Sequence, residues 1–169
     1  MGGYGRNRLA DTGVSVIRDV LEACKPRPSR SDPVGHKNQY AVRFADHMAA
    51  RIASDLFERL EDITATTKRT AGSARGKKQL DINFSTPRLG LALGISLKSV
   101  HLRDVKAPER YTHNMKRNEE ELRIEASGYH KRQPYAVMIA VLFLPFDSTD
   151  DGKKTNPSSF GSWVRHLRP

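Results

Sequence analysis

Two segments, Leu80-Asp81-Ile82-Asn83-Phe84-Ser85 and Leu91-Ala92-Leu93-Gly94-Ile95-Ser96-Leu97-Lys98, alternate between polar or small residues and large apolar ones. Such alternation predicts β-strands, because successive side chains of a strand point to opposite faces of the sheet. We therefore expect Ser96 and Lys98 to share one face of the second strand, the face that carries its small residues. Asp81 lies on the polar face of the first strand. If the two strands are neighbours, they bring a carboxylate and an ammonium group to one place.

Hydrophobic periodicity and helix start and stop signals predict the elements on either side of these strands. Helices are expected over about residues 13–24, about 38–63, and from about 107 to about 127 or slightly beyond. Tyr135–Leu144 is a continuous apolar run, typical of a strand that is buried on both faces in the middle of a mixed sheet. One further strand within residues 64–79 stays open.

The chain divides into two parts at a segment rich in proline, which interrupts regular structure after about residue 25. We assign residues 1–36 to an N-terminal helix and a linker or arm, and residues 37–169 to the main domain. The main domain then reads as a helix, strands, a helix and a strand.

The chain carries a large excess of positive charge. Its 169 residues contain 29 Lys and Arg against 19 Asp and Glu, a formal net charge of +10. Excess positive charge speeds the capture of polyanions, so nucleic acid is the favoured class of partner, with a ribosome-associated or merely basic protein as the alternative. A stretch without acids, between residues 64 and 79, concentrates five cations: Lys68, Arg69, Arg75, Lys77 and Lys78. They either bind a phosphate backbone or belong to a solvated loop.

Several classes of protein are disfavoured by composition. Cys24 is the only cysteine, which excludes an intrachain disulfide and a cysteine-based zinc site and fits a reducing cytoplasm. No apolar run reaches the roughly 18 residues that span a bilayer, and the N-terminus does not have the apolar segment of a signal peptide. We therefore expect a cytoplasmic protein with no membrane partner.

The arrangement resembles the PD-(D/E)xK nuclease superfamily, on the residues Asp81, Ser96 and Lys98. Asp81 matches the first acid of the family motif and Lys98 its lysine, while Ser96 stands where the second acid is expected and Leu80 replaces the proline. The resemblance covers about residues 38–144. It implies an α/β fold with a restriction-endonuclease-like core, which consists of a helix, three strands, a helix and a strand around a mixed central sheet. Here the core would carry an N-terminal helical extension.

The serine leaves one carboxylate of the motif missing. A hydroxyl is a poor ligand for Mg²⁺, which prefers carboxylate and water oxygens. Some restriction endonucleases with the same Ser-x-Lys variant take the carboxylate from the following helix. At about 100° per residue, Glu119 lies about 40° from Met115 on the apolar stripe of that helix, and Glu125 about 80° away. Glu119 is the first candidate and Glu125 the second, and a solvated acidic face is the alternative for the run Glu119-Glu120-Glu121.

The resemblance implies Mg²⁺-dependent hydrolysis of DNA phosphodiester bonds by an endonuclease of the restriction, defence or repair type. Asp81, Glu119 and the backbone carbonyl of Leu97 would hold one or two Mg²⁺ ions, with Mn²⁺ as the alternative ion. Lys98 would hold or help to deprotonate the attacking water and add positive charge near the transition state. Ser96 would support the ligands by hydrogen bonding. Cutting both strands calls for a homodimer, and RNA stays open as a substrate.

Two functions of other kinds remain open on the same residues. The first is a catalytically inactive nucleic-acid-binding protein of this fold, which Ser96 favours because the second acid is lost. The second is a structural component of a nucleoprotein or defence complex, in which Trp163 and Phe160 anchor a partner. If the resemblance does not hold, Asp81 simply ends a strand and Lys98 extends to solvent.

Overall fold

The computed structural model describes residues 7–29, 31–58, 65–67, 70–73, 76–88, 90–100, 111–112, 114–151 and 158–168. The helices in these ranges are α1 (Asn7–Ala23), α2 (Val34–Phe57), α3 (Met115–His130) and α4 (Ser159–His166), with a short 3₁₀ helix at Phe146–Asp150. The strands are β1 (Ala65–Thr67), β2 (Thr70–Ser73), β3 (Gly76–Gln79), β4 (Ile82–Thr86), β5 (Gly90–Ser99) and β6 (Val137–Phe143). Of these helices, none has the length and hydropathy that crossing a lipid bilayer requires.

Four strands form a mixed sheet in the order β1-β4-β5-β6, and β2 and β3 form a separate hairpin. β1 and β5 both pair antiparallel with β4, whereas β5 and β6 run parallel. Parallel strands require a crossover connection, and α3 lies in the one between β5 and β6. The prediction of an α/β protein with a mixed sheet is confirmed, and the open question of residues 64–79 is answered by β1 and the hairpin.

The two faces of the sheet are covered by different helices. One face packs against α1 and α2 through a core of buried residues: Val20, Cys24, Phe44, Met48, Ala49, Ala53, Ile82, Phe84, Ile95 and Leu97. The other face carries a smaller core: Leu80, Leu91, Tyr129 and Ala136. The first two predicted helices are confirmed with bounds shifted toward the N-terminus, and the predicted helical residues 59–63 lie outside the described ranges. Because α1 contributes to the first core, it packs onto the main domain.

The alternation predicted for the two central strands is interrupted once in each. Leu80 belongs to the core on the α3 side and Ile82 to the opposite core, because the chain bends at Asp81 between them. A register shift after Phe84 likewise moves Leu91 to the α3 side. The bend leaves Asp81 at the start of β4, outside its regular ladder.

The apolar run of residues 135–144 contains β6, which lies at the edge of the sheet that the described strands form and not in its centre. Val137 and Ile139 are 56% and 43% exposed. The first core reaches only the C-terminal part of the strand, at Val141 and Phe143. The prediction of a strand buried on both faces is therefore wrong: none of the residues of β6 is fully buried, and among the described strands only β5 pairs with it.

The helix α3 begins at Met115, later than predicted; the predicted start near residue 107 lies outside the described residues. Asn114 has a φ of 62°, a left-handed conformation that does not continue a right-handed helix. Tyr111, which precedes α3, lies in a turn. Its backbone N–H donates to Ser159 Oγ at 2.9 Å and its hydroxyl donates to the Asp147 carboxylate at 2.9 Å. Tyr111 thus connects this turn to the C-terminal part of the chain.

The helix α4 is anchored by Trp163. The indole is 1% exposed, and its N–H donates to the backbone carbonyl oxygen of Tyr111 at 2.9 Å. Trp163 is therefore a core residue and is not available to anchor a partner. Phe160, on the same helix, is 49% exposed.

Replacing Trp163 with Ala is expected to lower the free energy of unfolding by about 3–5 kcal/mol, the usual cost of deleting a large buried aromatic side chain. Urea unfolding followed by circular dichroism measures this loss. Phe160→Ala, on the exposed side of the same helix, is the matched control and is expected to change the free energy by no more than about 0.5 kcal/mol. Equal effects of the two substitutions would contradict the assignment of Trp163 to the core.

Candidate active site between β5 and α3

The helix α3 runs along β5 on the sheet face opposite α1 and α2. At one end, the side-chain oxygen of Gln133, just after α3, accepts a hydrogen bond from the backbone N–H of Leu91. Further along, Ser96, which is 5% exposed, donates its hydroxyl hydrogen to Glu125 Oε2 at 2.6 Å. The helix and the strand are therefore antiparallel, and α3 places glutamates over the polar face of β5.

Lys98 lies on the same face of β5 as Ser96. Its Nζ is 3.5 Å from Glu121 Oε2, with both side chains partly exposed. The pKa of Glu121 is lowered, first by the hydrogen bond that Arg117 donates to its carboxylate and then by the charge of Lys98. Glu121 is thus held as a carboxylate between two cations. An ammonium group beside an open surface is well placed to meet an anionic substrate.

Asp81 reaches the same part of β5 from the bend before β4. Its Oδ2 accepts a hydrogen bond from the backbone N–H of Leu97 at 2.6 Å. The regular pairing of β4 with β5 ends at Ile82 and Ile95. Beyond this pair, the Asp81 carboxylate accepts the hydrogen bond from β5 that a backbone carbonyl of a longer β4 would accept. In an antiparallel pair of strands, the N–H and the C=O of one residue point to the same neighbouring strand. The Leu97 carbonyl is therefore directed to the Asp81 side, as its N–H is. The acid therefore lies beside the peptide between the two polar residues of β5.

Glu119, the first candidate for the second carboxylate, lies on a different side of α3. Its carboxylate is paired with Arg123 and is 2.7 Å from Nε2 of His166 in α4. The hydrogen bond from Arg123, together with the charge of His166, lowers the pKa of Glu119. The structure brings Glu125 and Glu121 to the polar residues of β5 and does not bring Glu119 there.

The physical reason is that a helix has two flanks beside its apolar stripe. Glu119 lies on the flank of α3 that faces α4, whereas Glu121 and Glu125 lie on the flank over β5. The angular distance from Met115 predicts how close each glutamate lies to the apolar stripe, but it does not predict on which flank the glutamate lies. A four-residue spacing does mark Glu121, Glu125 and Tyr129 as one row of the helix. The aromatic Tyr129 at the end of this row, which the structure shows to be buried, is the sequence signal that could have favoured that flank.

The basic segment is described only in part. Lys68, Arg69 and Arg75 lie outside the described residues, and for Lys77 and Lys78 the description covers the backbone of β3 alone. The hairpin that β3 forms with β2 precedes Asp81 directly, and β2 packs beside α3. The hairpin backbone is thus adjacent to the candidate site, and its role in binding nucleic acid stays a prediction.

The donor atoms fit Mg²⁺ chemically. Mg²⁺ is usually held by one or two carboxylates, with water and substrate phosphate oxygens completing an octahedron. Asp81, which contacts the Leu97 peptide, and Glu125, which contacts Ser96, each offer a carboxylate, and Leu97 offers a backbone carbonyl. Among the residues that the structure describes, no three His, Cys, Asp or Glu side chains form a ready group for a metal ion. An ion held by one or two of these oxygens would keep several waters.

The position of Glu125 can be tested through Tyr129. Burial, with the negative charge of Glu125, raises the pKa of the Tyr129 phenol to about 12. A tyrosine pKa raised by folding stabilises the native state fully below the unfolded pKa of about 10, and this contribution is lost as the pH rises through the folded value. We expect absorbance titration at 295 nm to show a tyrosine that ionises near pH 12, a component that disappears in Tyr129→Phe and titrates earlier in Glu125→Gln. An unchanged late titration in Glu125→Gln would contradict this placement of Glu125.

Comparison with known proteins adds no assignment, because no protein-family model, no curated protein sequence and no solved structure matches this chain.

Proposed function

We propose that this chain is a Mg²⁺-dependent deoxyribonuclease that hydrolyses phosphodiester bonds with the residues between β5 and α3. The observation that carries the proposal is the contact of Asp81 with the Leu97 peptide, between Ser96 and Lys98. A carboxylate, a backbone carbonyl and an ammonium group then share one short segment of the sheet.

The order of the elements supports the same proposal. From α2 onward, the strands of the sheet and the helices follow as helix, three strands, helix and strand, with the β2–β3 hairpin inserted after the first strand. This is the order that the resemblance to the PD-(D/E)xK superfamily implies. The antiparallel β4–β5 pair carries the acid and the Ser-x-Lys motif, and β6 returns parallel to β5. We therefore include the restriction-endonuclease-like core in the proposal.

The carboxylate missing from position 96 is supplied by Glu125. Ser96 donates a hydrogen bond to Glu125 at 2.6 Å, so the serine orients the carboxylate that stands in for its own missing one. Asp81 and Glu125 are the carboxylates that would hold Mg²⁺, with the Leu97 carbonyl as a third oxygen. When bound, the ion supplies a nucleophilic water at neutral pH and neutralises charge on the phosphate oxygens.

Lys98 acts on the substrate phosphate and on the attacking water. Its ammonium group adds positive charge beside the scissile phosphate, where negative charge develops in the transition state. Glu121, 3.5 Å away, keeps the lysine side chain over the polar face of β5 before substrate binds. The net charge of +10 favours the approach of DNA in the first place.

The experiment is the cleavage of supercoiled plasmid DNA by the full chain. We expect nicked and linear products with Mg²⁺ or Mn²⁺ and none with EDTA. RNA of the same sequence, added in a parallel reaction, decides between the two substrates. Binding of DNA that is equal with and without Mg²⁺, with no product at any metal concentration, would contradict the proposal and favour the catalytically inactive nucleic-acid-binding protein.

A further inference from the structure

The strand β6 lies at the edge of the sheet that the described strands form, and it carries none of the usual features that protect such an edge. Edge strands are commonly shielded by a charged side chain, a proline or a β-bulge, because their outward N–H and C=O groups pair readily with another strand. The seven residues of β6 are all apolar, and their pairing with β5 shows no register shift. Val137 and Ile139 of this strand are exposed. The edge is therefore suited to pairing with a further strand.

Alternate residues of β6 direct their backbone polar groups away from β5. The carbonyl oxygen of Phe143 accepts a hydrogen bond from the N–H of Val100, which follows β5. Successive residues of a strand direct their N–H and C=O groups to opposite sides, so Phe143 and every second residue before it face β5. The N–H and C=O groups of Met138, Ala140 and Leu142 therefore point outward from the edge of the sheet.

A second copy of β6 matches this edge when the two strands run antiparallel about a two-fold axis at Ala140, the middle residue of β6. Ala140 then faces Ala140 of the second copy and Met138 faces Leu142, so that outward-pointing groups meet each other in hydrogen-bonded pairs. Val137 lies beside Phe143 of the second copy. Val137 is exposed, whereas Phe143 packs against the first core. The uncovered half of each strand is thus placed next to the covered half of the other.

The residues on either side of β6 fit the same arrangement. Tyr135 precedes the strand and Phe146 follows it, and at 94% and 92% they are the most exposed large apolar residues that the structure describes. Antiparallel pairing brings the start of one strand to the end of the other, and so brings Tyr135 of each copy near Phe146 of the other. Charge follows the same pattern, because the exposed Lys131 and Arg132 precede β6 and the exposed Asp150 follows it.

We propose that β6 pairs with β6 of a second copy of this chain, with Ala140 opposite Ala140, and joins the two sheets into one. A second copy is favoured over an unrelated strand because one two-fold rotation matches the hydrogen-bonding groups, the covered and uncovered halves and the charged ends together. Such self-complementarity is what an interface between identical subunits requires. The interface does not depend on the nuclease proposal, since β6 contributes no residue to the candidate active site.

The same rotation places both candidate active sites on one side of the joined sheet. The axis that relates two antiparallel strands of one sheet is perpendicular to the sheet, so both copies present α3 on the same face. Ser96 pairs with Ala140 in the register of β5 and β6, and the Ser96 residues of the two copies therefore lie three strand spacings apart, about 14 Å. Cleavage of both strands of one DNA duplex requires two sites on one side, and this step alone rests on the proposed function.

The test is sedimentation velocity of the full chain, without DNA or Mg²⁺, over a range of protein concentrations. We expect a species with twice the 19.0 kDa mass of one chain. Ala140→Lys and Ala140→Glu each place like charges opposite each other across the axis, and each is expected to raise the concentration of half-dissociation by at least about 10-fold. Ala50→Lys, at an exposed position of α2, is the matched control and is expected to dimerise as wild type does.

An equimolar mixture of the two charge variants tests the register. Lysine meets glutamate only if residue 140 faces residue 140, so the mixture is expected to dimerise at concentrations at which each variant alone is a monomer. A mixture that does not associate would overturn the proposal, and so would wild-type dimerisation by Ala140→Lys. A wild-type chain that stays monomeric, as expected if a different protein pairs with this edge, would overturn it as well.

Thermal unfolding of each variant shows whether the variant is folded. If the variants at Ala140 do not fold, Val137→Lys gives the second test, because it places a charge at an exposed position beside Phe143 of the other copy. It is expected to raise the concentration of half-dissociation by at least about 10-fold, and dimerisation equal to that of wild type would overturn the interface.

Discussion

Asp81→Asn and Lys98→Met are each expected to lower the rate of Mg²⁺-dependent plasmid cleavage by at least about 100-fold, the scale on which removal of one catalytic charge acts in other enzymes. The asparagine keeps an oxygen that can accept the hydrogen bond from the Leu97 N–H, which the carboxylate accepts at 2.6 Å. The fold is therefore preserved while the negative charge is lost. Lys98→Met keeps the aliphatic part of the side chain and removes only its charge.

The controls for these two variants are chosen on the same elements. Arg88→Met removes a cation that lies on the turn between β4 and β5 and is exposed, and it is expected to retain most of the cleavage rate. Both site variants are expected to unfold thermally within a few degrees of wild type. Cleavage at the wild-type rate by either site variant would remove that residue from the proposed mechanism.

Glu125→Gln is expected to lower the cleavage rate by about 10–100-fold and to raise the Mg²⁺ concentration needed for half-maximal rate, as substitutions around a metal site commonly do. Glu119→Gln is expected to leave both quantities unchanged. Both substitutions exchange a carboxylate for an amide of the same shape on the same helix. They differ in their neighbours, because Glu125 contacts Ser96 and Glu119 pairs with Arg123 and His166.

The comparison between these two variants decides which flank of α3 serves the site. Plasmid cleavage is measured over a range of Mg²⁺ concentrations for both variants and for Glu120→Gln, which lies on the exposed side of α3. A larger loss in Glu119→Gln than in Glu125→Gln would contradict the assignment of Glu125 and restore the first choice made from the sequence.

The polar face of β5 was accessible to prediction because a strand imposes a strict period of two. Ser96 and Lys98 had to share a face whatever surrounded them, and the contacts with Glu125 and Glu121 agree with that expectation. The period fails at Asp81, where the chain bends. Nothing in the local sequence marks this bend, because Leu80 is as apolar as the residues that it was grouped with.

The features that could not be predicted from the sequence depend on contacts with residues that are distant along the chain. An apolar run such as the one that contains β6 fits a strand at the edge of a sheet as well as one in its centre. The exposure of Val137 and Ile139 could therefore not be predicted from their residue types. The choice between Glu119 and Glu125 depended on the side from which α4 approaches α3. That approach is set by the burial of Trp163, more than thirty residues further along the chain.

Binding of Mn²⁺ shows most directly whether Asp81 and Glu125 hold a metal ion together. It is observed by electron paramagnetic resonance in the presence of a phosphorothioate DNA duplex that resists cleavage. We expect the wild-type chain to bind one or two Mn²⁺ ions and the double variant Asp81→Asn/Glu125→Gln to bind Mn²⁺ at least about 10-fold more weakly. The double variant Glu119→Gln/Glu120→Gln serves as the control and is expected to bind as wild type does. Equal Mn²⁺ binding by both double variants would show that Asp81 and Glu125 do not hold the metal ion.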